Sequence, residues 1–486
     1  LAHRLHQATT PATTVLFKPF PYKWLQKQTL PLYGRVLKKQ LFSSEYSGWN
    51  ILAGIILWRR EFLGLRRFLR SGSWLLLYGR RKTGKSFMTR LLAEWSIYSI
   101  VARDSTIVFE ERGSEPRLLS IEEAIRAIAG RLRRGDVVVI DEFQRLPESL
   151  WEMLASIHPN GQLILVASSL GVVERVFSRH SPLLGLAAPW RIDLLHLSDV
   201  VVSLLPRLSA REAVLWALLL REPWLTSMPG VLGEAPWDWI TSNARLLYSV
   251  ASGLVGEVFT EEERKLTRLY DAVLRLLGDG VWDSKSLAAL LYQRGLIESP
   301  SPSTVTGVLD KLASMGLVTK TRLWMTRGKR IYYRHSSPLL AIVYGLAESH
   351  AVDEYPVPPG TMRDTVLALY ARELQFSLAE MLAEYHDGVP AYTILPQGEG
   401  DVDIVVLDKR ARYAIAAYEV KMGTCSRSDL IAAYERARKI GAALAGAVCL
   451  SGADAAPPPG LRILEPEDVA EVAEQLARRA SKKAAQ

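Results

Sequence analysis

Cysteine is nearly absent: Cys425 and Cys449 are the whole complement in 486 residues, and they stand far outside any metal-ligand spacing. That removes thiolate metal centres, offers no pattern for a catalytic thiol, and fits a reducing cytosol. Long apolar runs are also missing. The longest, residues 51–58 and 213–220, fall well short of the roughly 18–20 residues that cross a bilayer, so they read as core segments and no membrane partner is expected. The start lacks the charged, apolar and small-residue order of a secretory leader, which points to a cytoplasmic protein. Acidic residues are scarce at one end, where residues 1–70 carry twelve Lys or Arg against Glu45 and Glu61. With a net charge of +9 overall, the remainder is close to neutral. Residues 1–50 therefore read as a basic arm for nucleic acid or acidic lipid, or as an extension outside the folded part. What the chain does have is apolar residues, at 49%, enough to bury three or four domains.

One stretch carries recognisable chemistry. The apolar segment Trp74 to Tyr78 runs into Gly79, Arg80, Arg81, Lys82, Thr83, Gly84, Lys85 and Ser86, the G-x-x-x-x-G-K-S spacing of a phosphate-binding loop, and a helix is expected from Phe87. Glycine at 79 and 84 lets the backbone bend so that successive N–H groups, through Phe87, face the phosphates of ATP or GTP. Lys85 is placed to reach the β- and γ-phosphates and Ser86 to ligate Mg²⁺. Farther on, residues 136–142 form a continuously apolar run ending in Asp141 and Glu142, the form of a strand buried on both faces. Asp141 would hold Mg²⁺ through its water shell, and Glu142 would polarise the attacking water, worth roughly 10²–10⁴ in rate. The next apolar strand ends in Ser168 and Ser169, positioned either to sense the γ-phosphate or simply to cap the strand.

The loop Gly79 to Ser86, the run Val139 to Arg145, the Ala167-Ser168-Ser169 triplet and Ser181 to Gly185 together resemble the archaeal P-loop ATPase family of the STAND branch, related to AAA+ proteins. The resemblance covers residues 55–200. It implies an α/β fold, with a P-loop parallel sheet carrying helices on both faces and a helical lid beside it. ATP rather than GTP would be the cofactor, with Mg²⁺, and Arg60 and Glu61 would lie near the adenine. Two departures stand out. Leu186 replaces the arginine such proteins carry after Ser-Pro-Leu-x-Gly, with Arg191 the nearest substitute, and Arg221-Glu222 replaces a glycine pair before the lid proline Pro223. The source of a charge-stabilising arginine is thus open, and turnover would be slow or would draw on a second copy of the chain, an effect worth roughly 10³–10⁵ in related chemistry.

Beyond residue 261 the pattern becomes three amphipathic helices, near 266–277, 284–293 and 303–315, followed by a hairpin over 320–334. These are winged-helix proportions. The hairpin holds Lys320, Arg322, Arg327, Lys329, Arg330 and Arg334 without an acid. If all six met DNA phosphates, log K would fall with log salt with a slope of about −5. The third helix has few side chains suited to base edges, so sequence-specific reading is not expected; a lid or protein-docking role, with the cations solvated, is the other reading.

Residues 351–360 have linker composition, and a helix follows over 361–385. Then come Asp403 and, on the next strand, Glu419 and Lys421, which share a face while Val420 points inward. Two carboxylates and a lysine suit metal-dependent phosphodiester cleavage. Their order resembles the D…(D/E)-x-K signature of restriction-endonuclease-like and Holliday-junction-resolvase-like domains, which implies that a helix glutamate, Glu373 or Glu380, completes the site. The alternatives are a nuclease-shaped domain that binds without cutting, or a strand pair with surface acids.

The expected organisation is a basic extension (1–50), an ATPase core (51–200), a helical lid (201–260), a winged helix (261–348) and a C-terminal α/β nuclease-like domain (349–486). The expected function is an ATPase whose nucleotide cycle governs a DNA-binding winged helix and a metal-dependent nuclease domain. The alternative is a STAND-type nucleotide-controlled switch whose C-terminal domain is a catalytically silent interaction module.

Overall fold

In the computed structural model, which describes residues 55–261, 266–325, 330–394 and 401–485, the chain is mixed α/β with a parallel-dominated sheet. The basic segment 1–50 lies outside the described residues, as do Arg327 and Lys329. Seven strands form the first sheet: β1 (Trp74–Tyr78), β2 (Ile97–Val101), β3 (Thr106–Glu111), β4 (Arg117–Ser120), β5 (Val137–Asp141), β6 (Gln162–Ala167) and β7 (Ala187–Arg191). Their order is β4-β3-β2-β5-β6-β1-β7. From β2 to β7 the pairs are parallel, and β3 and β4 add antiparallel at one edge. The central strands are apolar throughout because both faces are covered; every residue of β6 is buried. Since β6 lies between β1 and β5, its end faces the gap between the loop after β1 and the acids after β5.

Helices α1 (Glu61–Leu69), α2 (Lys85–Leu92), α3 (Ile121–Arg133), α4 (Trp151–Ala155) and α5 (Gly171–Val176) belong to this part of the chain. α3 starts where its sequence says it should, at a reciprocal cap between Ser120 and Glu123, and packs six apolar residues onto the sheet.

Three helices follow, α6 (Leu197–Leu204), α7 (Ala210–Leu220) and α8 (Pro236–Glu261). Eight successive residues of α7, from Ala213 to Leu220, are buried, the mark of a helix wrapped on all sides. Next come α9 (Arg268–Gly278), α10 (Ser284–Gln293) and α11 (Pro302–Ser314), then the antiparallel hairpin of β8 (Val318–Arg322) and β9 (Ile331–His335). α12 (Pro338–His350) and the long α13 (Pro359–Tyr385) lead to a second sheet, ordered β10-β11-β12-β13-β14. Its strands are Val389–Ile394, Asp401–Leu407, Ala414–Lys421, Leu444–Cys449 and Leu461–Leu464, with α14 (Arg427–Lys439) and α15 (Pro466–Ala485) beside them.

Burial ignores the segment boundaries. One apolar cluster runs from Leu195, just before α6, through Leu309, Tyr344 and Tyr370 to Leu476 in α15. α13 threads this cluster, and its Tyr370 hydroxyl donates to the Leu215 carbonyl of α7. The hairpin is also tied down: Trp324 N donates to Tyr392 O at 2.8 Å and Leu323 bridges to Tyr392, so the strand leaving β8 lies along the edge of the second sheet. The two cysteines depart from expectation. Parallel pairing of β12 and β13 sets Lys421 opposite Cys449, and the turn after β12 brings Cys425 back beside it, where the two form a disulfide with Cα atoms 5.6 Å apart.

Backbone-to-backbone contact decides one helix crossing. A Cβ at Gly345 of α12 would lie 2.7 Å from the Gly278 carbonyl oxygen, at the end of α9, whereas Gly256 of α8 has open space around it. Gly345→Ala is expected to cost about 1–3 kcal/mol by overpacking, and Gly256→Ala to gain up to about 1 kcal/mol of helix propensity. Urea unfolding of the two variants beside the parent measures both signs.

Candidate functional site

The loop between β1 and α2 is built around its glycines. Gly79 has φ 144°, and a Cβ there would sit 1.9 Å from the Ile192 carbonyl oxygen, so the chain leaving β7 requires glycine as much as any phosphate would. Gly84, with φ 90°, is the left-handed residue from which α2 starts. Lys82 is left-handed too, and Thr83 is buried with its hydroxyl on the Arg80 carbonyl at 2.8 Å. Lys85 folds back, donating to the Gly79 and Arg80 carbonyls at 2.9 and 2.5 Å. Burial lowers its ammonium to about 8. The lysine holds the loop's own carbonyls. Phe87 is exposed.

Asp141 and Glu142 arrive at the end of β5 beside this loop. Asp141 is buried, with Oδ1 accepting from Glu142 N at 2.9 Å and Oδ2 from the Tyr98 hydroxyl at 2.7 Å. Ser86, at the start of α2, and Asp141, at the end of β5, both act electrostatically on the Tyr98 hydroxyl. A hydroxyl and a carboxylate about one phenol fit a hydrated Mg²⁺, and they are the residues that would hold it. Glu142 takes a left-handed backbone, φ 56° and ψ 37°, rare for a residue other than glycine and common at sites that aim a side chain. Its Oε2 accepts from Gln144 at 2.7 Å and Ser168 at 2.9 Å, with Arg145 at 3.2 Å and Arg81 at 3.4 Å. Ser168 is thus the serine on the glutamate, while Ser169 is buried behind it.

Arginine placement differs from expectation. Arg191 pairs with Asp193 at 2.7 Å on the edge strand, while Arg81 and Arg145 stand beside Glu142. Arg60 is committed to α6: it makes a two-pronged contact to the fully buried Asp199 and reaches Ser198 and Glu384. Its neighbour Arg59 reaches the loop, donating to the Thr83 carbonyl at 2.8 Å. Arg80 points to Glu222 at 3.4 Å, and Glu222 also accepts from Ser337 at 2.7 Å, at the start of α12. The adjacent Arg221 turns the other way, onto Ser377 and Glu380 of α13 at 2.9 and 2.8 Å.

In the second sheet, the pairing of Ile404 with Tyr418 sets Asp403 beside Glu419, and Lys421 reaches Glu419 at 3.4 Å, so the three sequence-identified residues do meet. Burial and the neighbouring Glu419 push the Asp403 carboxyl up to about 7, even though it accepts from Val420 N at 2.8 Å. Glu419 is held by Arg436 of α14 at 2.7 Å, and Lys421 also pairs with Asp429. With Glu419 occupied by two cations, this arrangement does not fit a divalent metal. Among the described residues no group of three or more His, Cys, Asp or Glu could hold one. Glu380 belongs elsewhere, between Arg221 and Arg334; burial would raise its carboxyl, but the two guanidiniums outweigh that and hold it down, at about 2. Glu373 is fully buried, with Oε2 lacking a hydrogen-bond partner among the described residues.

Of the hairpin cations, Arg334 is turned inward onto Glu380 and over Phe376, and Lys320 pairs with Asp310. Arg322 stays exposed, and so does Arg330, which lies over Trp282. Sequence reasoning missed Tyr98, Gln144 and Arg436. A tyrosine within a buried strand is the one signal that could have pointed to the first; a helix arginine meeting a strand acid leaves none.

No protein-family model and no curated protein matches the chain. Among solved structures it is similar to a Walker-type ATPase of Pyrococcus abyssi, at 19% identity over 60% of this chain and 96% of that one, with a TM-score of 0.41. It is also similar to the ORC2 protein of Aeropyrum pernix with ADPNP and ADP (15%, 70% and 98%, TM-score 0.37) and to the ORC1 protein of the same organism in complex with DNA (20%, 61% and 94%, TM-score 0.30). At such TM-scores the likeness is loose, and the site is read from its own residues.

The Glu380 bridge yields a test. Glu380→Ala strands Arg221 and Arg334, and because the glutamate side chain is 38% exposed the expected loss is about 1–2 kcal/mol, below that of a fully buried pair. Denaturant unfolding of the variant reads it directly.

Proposed function

We propose that this chain is an ATP-binding P-loop ATPase whose nucleotide cycle governs a DNA-binding winged helix and a C-terminal nuclease-like domain. The observation that carries the reading is the convergence of Lys85, Ser86, Asp141, Glu142 and Ser168 from β1, α2, β5 and β6 at one end of a parallel sheet. The phosphates would take the Lys85 ammonium from the Gly79 and Arg80 carbonyls and sit on the loop's N–H groups. Mg²⁺ would be held by Ser86 directly and by Asp141 through water, and would offset charge on the phosphate oxygens. Glu142 would orient the attacking water once its oxygen is released by Arg81 and Arg145, which then stand near the developing charge.

Support for the DNA-binding part is the hairpin's exposed cations, Arg322 and Arg330, with Arg327 and Lys329 between them in sequence. Asp403, Glu419 and Lys421 support a nuclease-like origin for the C-terminal domain. The second reading, a nucleotide-controlled switch with a silent C-terminal module, is favoured by Arg436, which holds Glu419.

Three variants separate these readings. Lys85→Ala is expected to abolish binding of a fluorescent ATP analogue. Glu142→Gln should keep that binding and lose roughly 10²–10⁴ in phosphate release. On linear, supercoiled and branched DNA with Mg²⁺ or Mn²⁺, cleavage that disappears in Asp403→Ala supports the nuclease; DNA retention without cleavage by the parent protein supports the switch.

A further inference from the structure

Tyr98 is a wholly buried tyrosine that none of the recognised motifs contains. It lies on β2, whose parallel pairing with β5 sets Tyr98 opposite Val139 and Ile100 opposite Asp141. From there the phenol reaches along the strand and donates to Asp141 Oδ2 at 2.7 Å. The ring is fixed: the Arg90 guanidinium of α2 lies 3.8 Å from its centroid, Arg90 is anchored by Glu110 at 2.9 Å, and Trp95 packs edge-on at 5.6 Å. Such a hydroxyl has little freedom to swing aside. The other oxygen of Asp141 is taken by the Glu142 N–H.

We propose that Tyr98 determines which divalent cation the nucleotide site accepts, by capping Asp141 Oδ2 so that the carboxylate can receive only a metal that keeps its water. This inference rests on the ATPase reading. Mg²⁺ sheds water reluctantly and is held in many sites through its hydration shell, whereas Ca²⁺ gathers six to eight oxygen ligands and gains from direct carboxylates. A tyrosine on that oxygen therefore favours Mg²⁺. Tyr98 is a positioning residue in this account: it acts through Asp141 and touches neither nucleotide nor reacting atoms.

The test is equilibrium binding of a fluorescent ADP analogue to the full chain, titrated separately with Mg²⁺ and Ca²⁺, for the parent, Tyr98→Phe and Lys85→Ala. The parent should show a lower metal midpoint for Mg²⁺ than for Ca²⁺. Losing one charge-assisted hydrogen bond frees the oxygen, so Tyr98→Phe should lower the Ca²⁺ midpoint about tenfold while leaving that of Mg²⁺ within about twofold. An unchanged Ca²⁺ to Mg²⁺ ratio in Tyr98→Phe overturns the proposal while the ATPase reading stands. Equal nucleotide binding by parent and Lys85→Ala, or none by the parent, overturns that reading and this proposal with it. If Tyr98→Phe does not fold, water-proton relaxation of Mn²⁺ with ADP on the parent protein decides. A Mn²⁺ that keeps the water between it and Asp141 agrees, and one that has lost it to direct carboxylate ligation contradicts.

Discussion

Everything beyond the first sheet depends on two adjacent residues that face opposite ways. Glu222, buried at the end of α7, takes Arg80 of the phosphate loop and Ser337 of α12; Arg221 takes Ser377 and Glu380 of α13, and Glu380 in turn takes Arg334 of the hairpin. The joint between the loop, α7, α12, α13 and the hairpin is thus a chain of charge-assisted hydrogen bonds, the strong kind, in which each member leaves a buried or half-buried charge unmatched if its partner moves. A shared apolar cluster surrounds the joint, so movement of one element displaces contacts of the others. Arg221 and Glu222 thus tie the end of α7 on both sides.

In the loop after β1 the same logic applies to cations. Lys85 rests on the loop's own carbonyls, Arg81 and Arg145 rest on Glu142, and Arg80 rests on Glu222. Under the proposed function, a triphosphate would replace each of these partners, and the groups it releases would lie on Glu142 and at the end of α7. Arg81 adds a second link, to Glu257 of α8 at 3.1 Å.

The parallel strands, the glycine turn after β1 and the acids ending β5 were legible in the sequence, because continuous apolar runs and fixed glycine spacing are local signals. The three helices and the hairpin followed from periodicity in the same way, and two-residue spacing put Glu419 and Lys421 on one face, whereas the place of Asp403 beside them rested on the resemblance. What was not legible is where long cationic side chains go. Arg60 was expected at the adenine and instead clamps Asp199, Arg334 was expected at DNA and is turned onto Glu380, and Arg436 carries no pattern. An arginine reaches several residues' distance from its backbone and is claimed by whichever buried carboxylate the fold brings near, and that information is tertiary. The cysteines illustrate the point, since only the adjacency of β12 and β13 makes partners of residues 24 apart.

The central claim is that Arg221 and Glu222 couple the loop after β1 to α13 and β9. Hydrogen exchange of the full chain, with and without a non-hydrolysable ATP analogue and Mg²⁺, tests it most directly. The account predicts that nucleotide alters protection in the loop after β1, at the end of α7, and also in the second half of α13 and in β9. A change confined to the loop and to the residues after β5, with α13 and β9 unaffected, would contradict it.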